Sequence, residues 1–179
     1  MAHKEQKEFC MSVKRQFPEY FDKKTVLDIG SGDVNGNNNH YFKDCFVLGN
    51  DIGYGPNVHL LGFAHELPFI DEYFDTIIST ECLEHDREYS KTLNAAVRML
   101  KSGGLYFFTC ATTGRPEHGT RKSKPYQAFS TRVDDLEDYY KNLTEEDIRK
   151  VLDVGKYFSE YEFSVNNTHH DLYFWGIKR

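Results

Sequence analysis

Residues 25–42, TVLDIGSGDVNGNNNHYF, decide the fold. The apolar run at the start of this stretch is typical of a buried strand, and it reaches an acid at Asp28. Three glycines, Gly30, Gly32 and Gly36, follow with four asparagines among them. Glycine tolerates positive φ and lets a backbone approach a ligand closely. The glycines after Asp28 therefore predict that a polar ligand lies against the main chain at this turn.

Strands and helices alternate along the rest of the chain. Helical patterns cover residues 3–17, 89–100 and 144–153, and six further strands read DCFVLGNDI, NVHLLGF, YFDTIIST, SGGLYFFTCA, YEFSVNN and DLYFWGIKR. Such alternation favours a parallel sheet with helices on both faces. The last two strands are too close for a crossover helix, so one must run antiparallel. We predict an α/β, Rossmann-like, doubly wound and mostly parallel seven-stranded sheet with an antiparallel strand in its C-terminal hairpin.

The domain organisation is predicted to be simple. Residues 1–179 show no repeat or linker, so we expect one domain with an N-terminal helical segment at 1–23. Residues 112–143 are rich in charge, contain prolines and glycines, and show no long period. Long irregular segments in compact domains are usually functional or mobile. We therefore expect residues 112–143 to be an insertion on the substrate side.

Composition narrows the partners and the compartment. The 179 residues carry a net charge of −6, which disfavours nucleic acid as a partner. No apolar run reaches the length of a membrane span, and the first ten residues lack a secretory pattern. The four cysteines are widely spaced, as expected for reduced thiols. These features predict a cytoplasmic protein without a membrane span; they leave its oligomeric state open.

Acids at two strand ends suggest the ligand class. Asp28 ends the first strand, and Asp51 ends the second. A dinucleotide-binding loop reads G-x-G-x-x-G, but here the third glycine comes one residue late. A carboxylate at Asp28 would repel a pyrophosphate and would suit an ammonium group, while Asp51 is placed to bind a ribose diol. The pattern predicts an amino-acid-bearing nucleoside.

Four motifs in order carry a family resemblance. They are VLDIGSG, VLGNDI, HELPFIDEYFDTIISTECLEHD and LNAAVRMLKSGGLYFFT. In these four motifs the sequence resembles the class I S-adenosylmethionine-dependent methyltransferases, and within that class it is similar to the type 11 methyltransferases. The longer loop GDVNGNNNHYF is most similar to methyltransferases of glycan biosynthesis, which carry a comparable D-x-N-G element.

The resemblance implies S-adenosylmethionine as cofactor and S-adenosylhomocysteine as product. The contacts that it implies are Asp28, Gly30, Ser31 and Gly32 for the methionine moiety, Asp51 for the ribose, Ile52, Ala64 and His65 for the adenine, and Glu81 and Cys82 beside the sulfonium. Gly36 is open to two interpretations, a ligand contact or a plain turn. Phe63 stands where the family usually has an acid that reads the adenine amino group.

Methyl transfer to an alcohol also needs a proton removed, and histidine suits that task near neutral pH. His85 follows the fourth strand and His118 follows the fifth, so both border the expected cleft and are the candidate catalytic residues. Glu84, Asp86, Glu117 and His118 offer ligands for a divalent cation, but no helical histidine spacing supports such a site. We therefore predict no metal.

The acceptor is predicted mainly from the resemblance to methyltransferases of glycan biosynthesis, and the sequence excludes one other class of acceptor. The chain lacks the Asn/Asp-Pro-Pro-aromatic motif and the Pro-Cys pair of enzymes that methylate DNA bases. The leading function is O-methylation of a sugar hydroxyl on a glycan or nucleotide sugar. Two alternatives stay open: methylation of a lipid, quinone or other small metabolite, and a non-catalytic cofactor-binding subunit. The cations at 115, 121, 122 and 124 are either an anionic-acceptor site or a solvated loop.

Overall fold

The computed structural model describes residues 3–179 and contains seven strands and four α-helices in that range. The strands are β1 Thr25–Ile29, β2 Phe46–Asp51, β3 Leu60–Leu61, β4 Phe74–Thr80, β5 Leu100–Ala111, β6 Phe158–Asn166 and β7 Asp171–Lys178. The helices are α1 Lys4–Gln16, α2 Tyr89–Met99, α3 Glu145–Val151 and α4 Val154–Tyr157. Short 3₁₀ helices, including Asn39–Tyr41, Leu83–His85 and Phe129–Arg132, lie in the connections.

All seven strands form one sheet in the order β3-β2-β1-β4-β5-β7-β6. The first five strands in this order are parallel to one another, whereas β7 runs antiparallel to both β5 and β6. The predicted fold class is therefore confirmed. Because β1 pairs with β2 on one side and with β4 on the other, the strand order reverses at β1. Ligands of open α/β sheets bind at the carboxyl ends of the strands at such a point.

The sheet buries a different set of side chains on each face. One face packs Leu27, Ile77 and Phe108 against Leu93 and Ala96 of α2. Successive strand residues point to opposite faces, so the neighbours of these residues form the second core. In that second core, side chains of β1, β4 and β5 pack against α1 and the adjoining 3₁₀ helix.

The predicted helices are present, with boundaries set by local chemistry. Thr144 caps α3 through a reciprocal capping box with Asp147, as its sequence suggests. The third predicted strand is reduced to Leu60–Leu61. Positive φ values of 68° at Asn57 and 127° at Gly62 bend the chain away from an extended path on both sides.

Residues 112–143 contain no α-helix and no strand, and they fold back over the carboxyl ends of the parallel strands. The predicted N-terminal segment forms α1 and a 3₁₀ helix, although residues 1–2 lie outside the described residues. Within residues 3–179, none of the helices has both the length and the apolar content that a membrane span requires.

Candidate active site

A cleft opens where the strand order reverses, with about 980 Å³ of empty space including its open mouth. Sites for small molecules and cofactors are typically concave clefts of this kind. Most of the predicted site residues line it, namely Gly30, Ser31, Gly32, Gly36, Asp51, Ile52, Ala64, Glu81, Cys82 and His85. Three other predicted residues, Asp28, His65 and His118, stand outside this lining.

The glycine turn at the end of β1 brings the backbone close to two neighbouring elements. The amides of Gly30 and Ser31 both donate to the carbonyl oxygen of Asn50, at 2.8 and 2.9 Å. Gly30 has φ +76°, and a Cβ at this position would lie 2.4 Å from Cys82 Cβ. Only glycine fits this combination of conformation and proximity.

Asp51 lies at the end of β2 with its carboxylate held by backbone amides. Gly32 N–H donates to Oδ2 at 3.0 Å, and Gly53 N–H donates to Oδ1 at 3.2 Å. Burial raises the pKa of Asp51, against the opposing effect of these two bonds. These two bonds hold the carboxylate in one orientation on the cleft wall, and its role in binding a ribose diol stays a prediction.

Phe129, from the irregular segment, covers Asp51 and the glycine turn. A Cβ at Gly32 would lie 2.4 Å from the Phe129 ring, and one at Gly55 would lie 2.3 Å from it. The guanidinium of Arg132 lies over the same ring, 4.4 Å from its centroid. The glycines of this region therefore make room for an aromatic side chain that closes one end of the cleft.

Asp28 is fully buried behind the cleft wall. Its Oδ1 accepts a hydrogen bond from the Nδ2 of Asn38 at 2.9 Å, and Asn38 in turn lines the cleft. Its Oδ2 is buried without a hydrogen-bond partner among residues 3–179. Burial raises the pKa of Asp28 to about 7. An unsatisfied carboxylate oxygen beside a polar cleft fits an ammonium ligand, and this role stays a prediction.

The predicted adenine end contains Ala64 and His65 in a 3₁₀ helix after β3. Ala64 and Phe63 line the cleft, whereas the ring of His65 packs at 5.2 Å against that of Phe63. An aromatic ring thus occupies the place of the usual acid and offers a stacking surface in place of a hydrogen bond.

Glu81 begins the turn after β4 with φ +52°, a conformation that is costly for a residue with a side chain. Its Oε1 accepts a hydrogen bond from Thr109 at 3.0 Å, and Arg115 lies 3.6 Å from its Oε2. Arg115 also donates to Asp171 at 2.7 Å, and His3 lies 3.0 Å from the same carboxylate. A buried ion network therefore holds this end of the site in place.

This network changes the interpretation of the predicted cationic cluster. Arg115 is bonded to Asp171, and Arg121 is bonded to Asp138 at 2.6 Å. Lys122 and Lys124 are exposed. Because the two arginines already have carboxylate partners, the four cations do not form one anion-binding site.

His85 and His118 are brought together by the end of β4 and the irregular segment. His85 lines the cleft, and its ring centroid lies 5.1 Å from that of His118. Tyr140 packs against both rings. Burial lowers the pKa of each histidine, so both imidazoles are neutral near pH 7. A neutral imidazole accepts a proton or binds a metal ion.

The cation set considered from the sequence does not assemble. Asp86 accepts hydrogen bonds from Thr92 at 2.6 Å and from the Glu88 amide at 2.8 Å. Glu117 accepts one from Thr120 at 2.7 Å. These two carboxylates therefore have other partners, and only the remaining two members of that set, Glu84 and His118, lie together.

Several residues that line the cleft were not predicted by any motif or periodicity in the sequence. Besides those already described, Asn50, Arg87, Gln127, Ser130 and Leu136 line it. Those of residues 127–136 lie in a segment without periodicity, so no pattern predicted their side-chain directions. Asn38 had a weak signal, since it belongs to the asparagine run after the glycine turn.

Solved methyltransferase structures share this fold. The Burkholderia thailandensis 1,6-didemethyltoxoflavin-N1-methyltransferase, solved with 1,6-didemethyltoxoflavin and S-adenosylhomocysteine, matches 97% of this chain and 77% of its own with TM-score 0.65 and 16% identity. The Haemonchus contortus phosphoethanolamine N-methyltransferase 2 in complex with S-adenosyl-L-methionine matches 94% of this chain and 52% of its own, with TM-score 0.62 and 16% identity. Their bound nucleosides agree with the predicted cofactor.

Curated relatives match over a short stretch. Ubiquinone/menaquinone biosynthesis C-methyltransferases UbiE from Vibrio campbellii and Vibrio cholerae are 44% identical over 55 residues. This match spans 30% of this chain and 21% of each relative. A family model described as a methyltransferase domain matches residues 1–173. Because that match covers nearly the whole chain, the protein belongs to the methyltransferase domain family.

Proposed function

We propose that the protein binds S-adenosylmethionine in the cleft and transfers its methyl group to a hydroxyl-bearing acceptor. Three features fit the nucleoside: the amide-held carboxylate of Asp51 for a ribose, the glycine backbone at Gly30 and Gly32, and the unsatisfied Oδ2 of Asp28 for an ammonium. The bound cofactor supplies a methyl group activated as a sulfonium. The protein's residues orient the acceptor and manage its proton.

One observation carries this proposal: a diol-binding carboxylate and a neutral imidazole line the same cleft. Asp51 ends β2 and His85 follows β4, so the two lie on opposite sides of β1. A nucleoside held at Asp51 would therefore extend towards His85. We propose that His85 assists loss of the acceptor proton, with His118 behind it, and that a sugar hydroxyl is the first acceptor to test.

A second acceptor class is favoured by the local match to quinone C-methyltransferases. Loss of a phenolic proton makes the adjacent ring carbon nucleophilic, so the same neutral imidazole would serve that reaction. The apolar side chain of Leu136, which lines the cleft, is compatible with a ring. A quinol precursor is therefore the second acceptor to test.

The test separates cofactor binding from turnover. Calorimetric titration with S-adenosylmethionine should give one site, and labelled methyl donor should then be screened against sugars, nucleotide sugars and quinol precursors. His85→Ala should lower turnover by about 10²-fold or more, the size of a typical acid–base contribution, with cofactor affinity retained. His40→Ala, at an exposed histidine outside the cleft lining, is the matched control.

Two outcomes would contradict the proposal. Absence of S-adenosylmethionine binding at millimolar concentration would remove the cofactor assignment. Binding without turnover on any acceptor would favour a non-catalytic subunit.

A further inference from the structure

Three buried side chains beside the cleft converge in a way that the sequence did not predict. Glu84 and His85 belong to the 3₁₀ helix that follows β4, and His118 belongs to the irregular segment. One ligand atom from each lies within 4.8 Å of the other two. All three residues are buried, and Glu84 has no exposed surface.

Four polar atoms of this cluster lack hydrogen-bond partners. Both carboxylate oxygens of Glu84, Nδ1 of His85 and Nε2 of His118 are buried without one among residues 3–179. A buried polar atom without a partner costs about 1–3 kcal/mol, and more when it is charged. Four such atoms in one place are unusual, since buried polar groups in native proteins are almost always paired. A bound cation would satisfy the carboxylate and the imidazoles together.

The surroundings of His118 orient it as a ligand. Its Nδ1 lies 3.1 Å from the carbonyl oxygen of Pro116, to which it donates, so that Nε2 keeps its lone pair. That Nε2 lies 3.9 Å from Oε1 of Glu84. Ligands around one ion lie roughly 3–4 Å apart, so the separation between Glu84 and His118 already fits a shared ion.

We propose that Glu84, His85 and His118 bind a divalent transition-metal ion. Two imidazoles and one carboxylate are a ligand set typical of Zn²⁺, Fe²⁺ and related ions, whereas Mg²⁺ and Ca²⁺ prefer oxygen ligands. Three protein ligands leave a coordination position open. Because His85 lines the cleft, the ion would lie at the cleft wall near the expected acceptor.

The role of the ion in catalysis rests on the proposed function, whereas metal binding itself does not. A cation beside the acceptor hydroxyl favours loss of its proton, because it stabilises the resulting anion. The proton goes to water, the oxygen electron pair forms the new bond to the methyl carbon, and the electron pair of the broken carbon–sulfur bond stays on sulfur. With the ion in place, His85 assists as a ligand and not as the base.

The test measures metal binding without cofactor or acceptor. The full chain is dialysed against a chelator and titrated with Zn²⁺ by calorimetry and with Co²⁺ by visible absorption. We expect one ion per chain and Co²⁺ d–d bands of a nitrogen- and oxygen-liganded site. Glu84→Gln and His118→Gln should each weaken binding by about 100-fold or more. Mg²⁺ should not compete.

Matched variants separate this site from its neighbours. His3, Glu5 and His169 form a second possible ligand group nearer the surface, so His169→Gln should leave the binding constant unchanged. Glu117→Gln, next to His118, should do the same because Glu117 bonds to Thr120. Thermal melting of each metal-free variant checks that it folds. Absence of Zn²⁺ and Co²⁺ binding, or equal binding by Glu84→Gln, would overturn the proposal, whatever the result with S-adenosylmethionine.

Discussion

Asp28 and Asp51 are the same residue type at the ends of adjacent strands, but their environments differ. Asp51 accepts hydrogen bonds from two backbone amides and lines the cleft. Asp28 accepts a single amide hydrogen bond from Asn38 and has no exposed surface. Its carboxyl group is therefore costly to ionise in the free protein, and an ammonium ligand would reverse that cost.

The raised pKa of Asp28 predicts a specific pH dependence of stability. Burial raises this pKa from 3.8 to about 7, so between these values the folded protein holds a proton that the unfolded chain has lost. Stability contributed by this group therefore falls as pH rises through that window. Asp28→Asn should be more stable than wild type above pH 7, by up to about 4 kcal/mol.

The measurement is urea unfolding of the ligand-free protein between pH 4 and pH 8. The difference between Asp28→Asn and wild type should grow with pH and then level off. Asp44→Asn, at an exposed acid, is the control and should show no such trend. Parallel curves for wild type and Asp28→Asn would contradict the raised pKa.

At the scale of elements, the irregular segment 112–143 covers part of the sheet, a role that helices have elsewhere in this fold. It has no strand or α-helix of its own, but its 3₁₀ helix Phe129–Arg132 seals one end of the cleft. The connection between β1 and β2 contains only the 3₁₀ helix Asn39–Tyr41 and no α-helix. The 3₁₀ helix Phe129–Arg132 therefore covers the glycine turn at Ser31 and Gly32, where a crossover helix is absent.

This arrangement predicts that Phe129 retains the bound nucleoside. Phe129→Ala should raise the dissociation constant of S-adenosylhomocysteine about tenfold, which corresponds to ~1.4 kcal/mol. The reason is the loss of an aromatic cover over Asp51. Calorimetry and stopped-flow dissociation should both report the change.

Tyr126→Ala is the control on the same segment, because Tyr126 is 66% exposed. It should bind as wild type does, and Phe129→Leu should recover part of the lost affinity. Unchanged or tighter binding by Phe129→Ala would mean that the ring does not hold the ligand.

The sequence predicted those features whose residues are close together along the chain, and it missed contacts between distant positions. Strands such as β1 and β4 are short apolar runs, and the capping box of α3 spans four residues, so both were readable along the chain. The pairing of Arg115 with Asp171 joins positions 56 apart, and Phe129 reaches the cleft from a segment without period. Contacts of this kind are set by the three-dimensional path and leave no local pattern.

At the scale of the whole molecule, the N-cap residue of helix α1, His3, connects this helix to the sheet. His3 lies 3.0 Å from Asp171 of β7 and 3.8 Å from Glu81 after β4. Burial alone would lower the pKa of His3, but the hydrogen bond to Asp171 and the charge of Glu81 outweigh it, so that the pKa is raised. In its protonated form this histidine joins three parts of the fold.

This contact predicts that α1 docks less firmly in alkaline solution. A folded-state pKa above 6.5 gives stability that is fully present below pH 6.5 and is lost as pH rises through the folded value. Wild type should therefore lose about 1 kcal/mol relative to His3→Gln on passing from pH 6 to pH 9.

Chemical unfolding and amide exchange of α1 across that pH range provide the measurement. The control is His40→Gln, because His40 is exposed. His59→Gln is unsuitable as a control, because His59 accepts a hydrogen bond from a backbone amide. A constant difference between wild type and His3→Gln at all pH values would show that the ion pair contributes nothing.

The position of β7 has a consequence for synthesis. It is the last of the seven strands to be translated, yet it lies inside the sheet, between β5 and β6. While residues 171–178 are still within the ribosomal tunnel, β6 has no partner and the exposed edge of β5 cannot be closed. The sheet is therefore completed only after translation passes this strand, and a nascent chain stalled before it would expose β5 and β6 as separate edges.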